Sequence, residues 1–430
     1  MAMNPIDRPN STRSVLVNFK GSGLVYAACS GSKGGHYSPR RRLNLSQFMS
    51  AHLPHRPSIF PVARSLSRPL AAALCLIGFA ANCVIVGPTA FHTAFEGRND
   101  FRLFYIGGKL AGSRSLYDQN RVLEAQRNTF GESNRKLMPV RLPFYYALLS
   151  PLARLPYKIA LLLWTASNIL AVILFVGLYP IGTRTHLAIA SCWSLPLIVS
   201  IAIGQDLGFM LLLLSATLRT LKAGRRLLAG LILSLCLIKF NLVLLLPVLL
   251  LGKREWRLAA GFFTGALLLF TVSFAGGGNW LPSYVSLILD PAISPGSFLM
   301  PNLHNMVAKT PGREFVELFL SLTVIAAVWC IARRARFDVA LAATLLGSIL
   351  LTRHVYLQDC AILIGSLVTL FQSFSTSVIR ICSIVLLLPI TYVLIFIQGG
   401  VTIAVLFLVL LLALAVAEVR TAPRETALRP

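Results

Sequence analysis

Residues 227–251, LLAGLILSLCLIKFNLVLLLPVLLL, are apolar except where Lys239-Phe240-Asn241 interrupts them. The run is longer than the roughly 20 residues that carry a helix across about 30 Å of hydrocarbon. An ammonium group inside it is costly unless a partner or water compensates. Arg225-Arg226 precede the run, and Lys253, Arg254 and Arg257 follow it. The stretch therefore reads as a hairpin or two short helices, with both ends on the same side of a membrane.

Further apolar runs lie outward from it, at 70–88, 159–181, 186–203, 207–220, 257–275, 315–332, 337–352, 358–373, 381–397 and 401–418. Hydrophobic residues make up 56% of the chain and charged residues 13%, with a mean hydropathy of +0.73. These values lie outside the range of soluble globular domains. The expected fold class is an all-α polytopic membrane protein, a bundle of about 10–13 transmembrane helices with a large first outer loop. Three parts are expected: a basic, disordered cytoplasmic segment at 1–69, a multi-spanning domain at 70–418 and a cytoplasmic tail at 419–430. The first strong apolar run begins only near residue 70, so the N-terminus lacks the arrangement of a cleavable signal peptide.

The net charge of +25 does not indicate nucleic acid, because the basic residues collect in short loops between apolar runs. The clusters Lys222 to Arg226, Lys253 to Arg257 and Arg333 to Arg336, with the Arg-rich segment before residue 70, fit a positive-inside pattern. Both termini are then cytoplasmic, in a plasma-membrane protein. The loops at 89–142, 204–206, 276–313 and 353–359 fall on the outer face. The eight cysteines show no CxxC pair and read as small core hydrophobes, with no zinc or disulfide framework.

Chemistry is expected from the outer loops. Residues 97–118, GRNDFRLFYIGGKLAGSRSLYD, carry Asp100 beside Arg98, Asn99 and Arg102. Neighbouring positive charge would keep that carboxylate ionised, fit to accept a proton from a hydroxyl; a plain salt bridge to Arg98 or Arg102 is the other reading. Phe101, Phe104 and Tyr105 share one helical face, which suits an amphipathic helix on the bilayer surface or a connector packed against the bundle. The Pro143 to Pro156 segment is too short and broken for an ordinary span and reads as re-entrant. Gly204-Gln205-Asp206-Leu207 is either a tight turn or a place where Gln205 and Asp206 share the cavity of Asp100 and bond a sugar hydroxyl. Lys239 suits a phosphoryl oxygen. Ser294-Pro295-Gly296 through Asn302, His304 and Asn305, and Thr352 through Asp359 with Arg353 and His354, add cations and donors to the same face. An anionic leaving group needs such donors, although an interfacial Arg can also snorkel.

These residues together resemble glycosyltransferase family 87. The resemblance rests on Asp100 with Phe104-Tyr105 and Gly107, Leu116-Tyr117-Asp118, Pro143-Phe144, Leu155-Pro156, Leu163-Trp164 with Asn168, Gly204-Gln205, Lys239, and His354, Tyr356 and Asp359. It spans roughly residues 70 to 375. Phe240 stands where the family commonly has Pro, and Arg141-Leu142 precede Pro143 where a second Pro is usual. The resemblance implies a GT-C-like multi-spanning enzyme that uses a polyprenyl-phosphate sugar as donor and a glycolipid or cell-envelope glycan as acceptor. It implies that Asp100 is the base, that Lys239, His304, Arg353, His354, Gln205 and Asp206 hold the donor phosphate and sugar, and that Arg102 and Tyr105 support them. Transfer would be a single inverting displacement.

No Gly-rich phosphate loop follows a strand, which agrees with a lipid-linked donor. No cofactor is expected, and the residues require no divalent metal, though they do not exclude one. The expected partners are the lipid-linked sugar, its acceptor and membrane lipids, with no nucleic acid. The rival reading is a transporter or flippase of a lipid-linked or anionic substrate, with Lys239, Asp206 and Arg353 along its path.

Overall fold

The run at 227–251 is not one helix. In the computed structural model, Arg226–Ser234 is α-helical, Leu235–Val243 tightens into a 3-10 helix, and the α-helix resumes at Leu246–Lys253. Lys239 itself leaves helical geometry, with φ −134° and ψ 62°. Pro247 sits in the first turn of the returning helix, where its missing N–H leaves no intrahelical bond unmade. The two ends meet, since Arg226 Nη1 lies 3.1 Å from Glu255 Oε2. The segment is thus a hairpin with Lys239 near its tip.

The structure describes residues 67–134, 138–180, 184–275, 279–290 and 297–420. All but the last three residues of the basic segment 1–69 lie outside them, as do Ser294-Pro295-Gly296 and the chain beyond residue 420. Among the described residues every regular element is helical. The α-helices run in chain order: α1 Arg68–Phe95, α2 Phe101–Lys109, α3 Gln119–Phe130, α4 Pro143–Ala153, α5 Tyr157–Leu178, α6 Arg184–Trp193, α7 Leu195–Ala202, α8 Leu207–Lys222, α9 Arg226–Ser234, α10 Leu246–Lys253 and α11 Trp256–Ala275. They continue with α12 Leu281–Leu289, α13 Leu303–Met306, α14 Arg313–Arg334, α15 Phe337–Leu351, α16 Ile364–Ser373, α17 Ser377–Val385, α18 Pro389–Gln398 and α19 Val401–Arg420.

Among the described residues, six helical segments are long and apolar enough to cross a membrane: Arg68–Pro88, Tyr157–Leu178, Arg226–Val243, Trp256–Ala275, Arg313–Arg334 and Val401–Arg420. Counting α6 with α7 and α17 with α18, pairs bent by 65° and 74°, brings the number to eight. The all-α polytopic class is therefore present, with fewer full-length spans than the apolar runs suggest. The runs at 186–203 and 381–397 are bent, at Ser194-Leu195-Pro196 and before Pro389. The helices at 207–222 and 337–351 are shorter than a full crossing.

Helix α15 is the centre of the bundle, buried almost without interruption from Asp338 to Leu350, as expected of a helix apolar all round. Helices α5, α11 and α14 instead expose rows of Leu, Ile and Phe, such as Leu162, Leu267 and Phe319. The hairpin crosses α11 at very short range. A Cβ on Gly230 would lie 2.1 Å from the Leu258 carbonyl oxygen, one on Gly261 2.1 Å from the Leu227 carbonyl oxygen, and one on Gly265 2.1 Å from Ser234 Oγ. Gly230 and Ser234 on one helix face Gly261 and Gly265 on the other, four residues apart in each, and such small residues are what let helices approach inside lipid.

The polar residues sort to two ends of this bundle. At one end Lys222 Nζ donates to the Pro180 carbonyl over 3.3 Å, Arg226 pairs with Glu255, and Lys253 donates to the Ala335 carbonyl. The three basic clusters therefore share one end. Helix α8 leads away from them to the turn at Gly204-Gln205-Asp206, over about 24 Å at 1.5 Å per residue.

Candidate functional site

Asp100 stands at the head of α2, and its backbone N–H donates to the Ile203 carbonyl over 2.9 Å. The helix behind it is amphipathic, but its apolar face packs on the bundle rather than lying open at the bilayer surface. Phe101 stacks on Trp164 at 5.4 Å and on Tyr157 at 5.9 Å. Phe104 meets Tyr145 edge-on at 5.5 Å, and Tyr105 meets Tyr157 at 5.1 Å. Tyr105 also donates through its hydroxyl to the Leu155 carbonyl over 2.7 Å. Gly107 admits the Tyr146 ring, whose Cδ1 would lie 2.2 Å from an added Cβ.

The turn beside Asp100 is held from several directions. Gly204 takes φ +75°, a conformation that glycine reaches without Cβ strain. Trp164 Nε1 donates to the Gly204 carbonyl over 2.8 Å. Asn168 grips both sides of the turn, donating to the Gln205 carbonyl over 2.8 Å and accepting from the Gly208 N–H over 3.1 Å. These bonds deliver Gln205 to Asp100: Gln205 Nε2 donates to Asp100 Oδ2 over 2.8 Å.

A chain of charges continues inward. Lys239 Nζ donates to Gln205 Oε1 over 3.3 Å and lies 2.5 Å from Asp359 Oδ1 and 3.7 Å from Asp206 Oδ1. Arg141 Nη2 reaches both Asp206 oxygens at 3.1 Å. Asp359 Oδ2 accepts the Tyr356 backbone N–H over 2.9 Å. Lys239, Asp206, Asp359 and Arg141 are all buried, whereas Asp100 is only half-buried. Buried charges persist only when paired, and here the ammonium and the guanidinium sit among carboxylates.

The charges that flank Asp100 in sequence are used elsewhere. Arg98 Nε lies 3.7 Å from Glu96 Oε2. Arg102 Nη1 donates to Glu132 Oε1 over 2.5 Å, with its guanidinium 4.6 Å from the Phe130 ring centre. Burial raises the Asp100 pKa above the usual carboxylate value, the Asp359 charge adds to that rise, and Gln205, Lys239 and Arg141 oppose it. The expectation that Arg98 and Arg102 hold it ionised is therefore corrected: the opposing charge comes from residues remote in sequence.

Arg353, His354 and His304 form a second, more open group. Arg353 and His354 are exposed, and the His354 pKa is lowered by burial and then by the charges of Arg353 and His304. His304 Nδ1 lies 3.0 Å from Glu317 Oε2. Asn302 Nδ2 donates to the carbonyls of Thr352 and Arg353 at 2.9 and 3.2 Å. Asn241 Nδ2 donates to the His354 carbonyl over 2.9 Å, and Thr352 Oγ1 donates to the Asn241 carbonyl over 3.0 Å. The exposed group is thereby tied to the residues just past Lys239. Tyr356, half-exposed, bridges the two groups through its electrostatic contact with Asp100 and its backbone bond to Asp359.

Among the predicted residues, Asp100, Gln205, Asp206 and Lys239 come together, and His304, Arg353 and His354 form the neighbouring group. Arg102 and Tyr105 face α3 and α5 instead. Asp206 has no exposed surface. Arg141 appears in the sequence only as a departure before Pro143. Its signal there would be the need of a buried Asp206 for a counter-charge. The Tyr117 hydroxyl donates to the Arg141 carbonyl over 2.6 Å, and the Arg141 N–H donates to the Tyr146 hydroxyl over 3.1 Å. Among the described residues, no group of three or more His, Cys, Asp or Glu side chains is placed to hold a metal ion.

An apolar cleft of about 450 Å³ opens between α4, α5 and α8, lined by residues including Leu149, Leu152, Leu163, Trp164 and Phe209. Trp164 belongs both to this cleft and to the stack beneath Asp100.

The model of glycosyltransferase family 87 matches residues 143–358. Gln205, Asp206, Lys239, His304, Arg353 and His354 fall inside that span, while Asp100 precedes it. No curated protein and no solved structure matches the chain.

Proposed function

Because the chain belongs to glycosyltransferase family 87 and is a multi-pass membrane protein, we propose that it transfers a sugar from a polyprenyl-phosphate donor to a hydroxyl of a glycolipid or cell-envelope glycan, on the outer face of the membrane. The observation that carries this reading is the half-buried Asp100 carboxylate, tied through one oxygen to Gln205, with the exposed Arg353 and His354 on the segment that leads into Tyr356 and Asp359. Asp100 takes the acceptor's proton as the acceptor oxygen bonds to the anomeric carbon, and the bond from that carbon to the phosphate oxygen breaks. The polyprenyl phosphate leaves as an anion beside Arg353, whose fixed positive charge meets it, with the imidazoles of His354 and His304 as neighbouring polar groups. One displacement inverts the anomeric configuration. The donor is already activated, so the second carboxylate of a glycoside hydrolase has no counterpart in this scheme.

The cleft beside Trp164 suits an isoprenoid tail, being apolar and contiguous with the residues under Asp100. Basic clusters at the opposite end of the bundle fit a cytoplasmic face by the positive-inside rule, which supports an outward site. Gln205, Asp206 and Lys239 serve this site from within. The test is transfer of radiolabelled sugar from a panel of polyprenyl-phosphate donors, in membranes holding the wild-type chain or Asp100→Asn. The substitution is expected to lower transfer by about 10²–10⁴-fold at unchanged protein level. Transfer at the wild-type rate by Asp100→Asn removes Asp100 as the base. Export of an intact lipid-linked sugar without transfer favours the flippase reading.

A further inference from the structure

We propose that Gln205 is the positioning residue of Asp100 and that Lys239 fixes the direction in which the Gln205 amide faces. The inference rests on the reading of Asp100 as the base. A glutamine amide can turn either its NH2 or its oxygen toward a neighbour, and only the NH2 attracts a carboxylate. Lys239 offers donors and no acceptor, so its contact with Oε1 at 3.3 Å admits the amide oxygen alone. The NH2 is thereby left to face Asp100 Oδ2, at 2.8 Å.

Lys239 in turn has little freedom to move. It lies between Asp359 at 2.5 Å and Asp206 at 3.7 Å, and Asp206 is pinned by Arg141 through both oxygens. The main chain of Gln205 is equally constrained, donating its N–H to the Ser200 carbonyl and accepting from Asn168, each over 2.8 Å. The amide therefore starts from a fixed point and ends on two fixed partners. Among the described residues, Asp100 Oδ1 carries no hydrogen bond. Oδ2 is occupied and Oδ1 is the oxygen free to receive a proton, which selects the side from which an acceptor hydroxyl must approach. Lys239 acts on the base through Gln205.

The charged and titratable groups facing Asp100 are Lys239, Arg141, Asp359 and Tyr356. Removing the Gln205 NH2 takes a hydrogen bond from the ionised form and leaves those groups in place. The test is the pH dependence of dicyclohexylcarbodiimide coupling to Asp100, a reaction of the protonated carboxyl, read by mass spectrometry on the full-length protein in detergent. In Gln205→Met, and in Gln205→Asn, which keeps an amide too short to bridge both partners, the midpoint is expected to rise by about one pH unit. A wild-type midpoint in both variants overturns the positioning role. Wild-type transfer by Asp100→Asn would overturn the base assignment and leave the midpoint result standing, so the two failures are distinguishable.

Discussion

The stretch from Arg226 to Val243 is secured twice, by opposite means. Near its start, Gly230 and Ser234 lie directly on the backbone of α11, and what holds the crossing is the absence of side chains. Near its tip, Lys239 extends a long charged side chain into the bundle, and what holds it is completeness of pairing, with Asp359, Asp206 and Gln205 around one ammonium. One anchor fails when atoms are added and the other when charge is removed. Dispersion and close approach suffice wherever no polar group is buried; once a charge is buried, its partners must come with it.

The largest effect expected from breaking this contrast is at the tip. Lys239→Met leaves Asp206 and Asp359 short of a buried counter-charge, a loss of about 3–5 kcal/mol. A thermal unfolding series in detergent should show the variant far below wild type, and equal melting would mean that water or neighbouring groups carry the charge instead. At the crossing, Gly230→Leu sets a side chain against the Leu258 carbonyl and is expected to destabilise by about 1–3 kcal/mol, as overpacking does. Gly230→Ala should fall between that variant and wild type, and no ordering with side-chain size would show that the helices separate freely. The smallest effect on stability is expected at Arg353→Ala, because that guanidinium is exposed. It should melt as wild type does while the KM for a polyprenyl-phosphate donor rises about tenfold, as loss of one charge-assisted contact implies. A fall in melting temperature with unchanged KM would make Arg353 a structural residue.

Much of this was legible in the chain. The apolar runs reveal the class, because crossing hydrocarbon needs a length that few soluble proteins contain. Lys239 announces a break in its run, because an ammonium in that setting demands partners. Which partners it takes was not legible: Asp206 and Asp359 are remote in sequence, and nothing local marks Arg141 as the guanidinium that holds Asp206. Local charge misled at Asp100, where Arg98 and Arg102 are close in sequence yet turn to Glu96 and Glu132. The face formed by Phe101, Phe104 and Tyr105 was read correctly as amphipathic. Periodicity records only that a face is apolar, and it was the aromatic rings of α4 and α5, not lipid, that covered it. Some apolar runs fold into helices shorter than a crossing, as at 207–222 and 337–351, because hydropathy records that a stretch is apolar and not how far its helix extends.

The burial of α15 bears on how the protein is made. Fifteen residues of helix reach about 22 Å at 1.5 Å per residue, short of the hydrocarbon thickness, and almost none of that surface is shaped for lipid contact. Alone in a bilayer such a segment has no comfortable resting place. It is synthesised after α14 and the hairpin, whose Val324, Val328 and Leu245 surround its Gly347. When α15 leaves the ribosome only part of its slot exists, and α16 and α19, which also pack on it, close the rest after they are made.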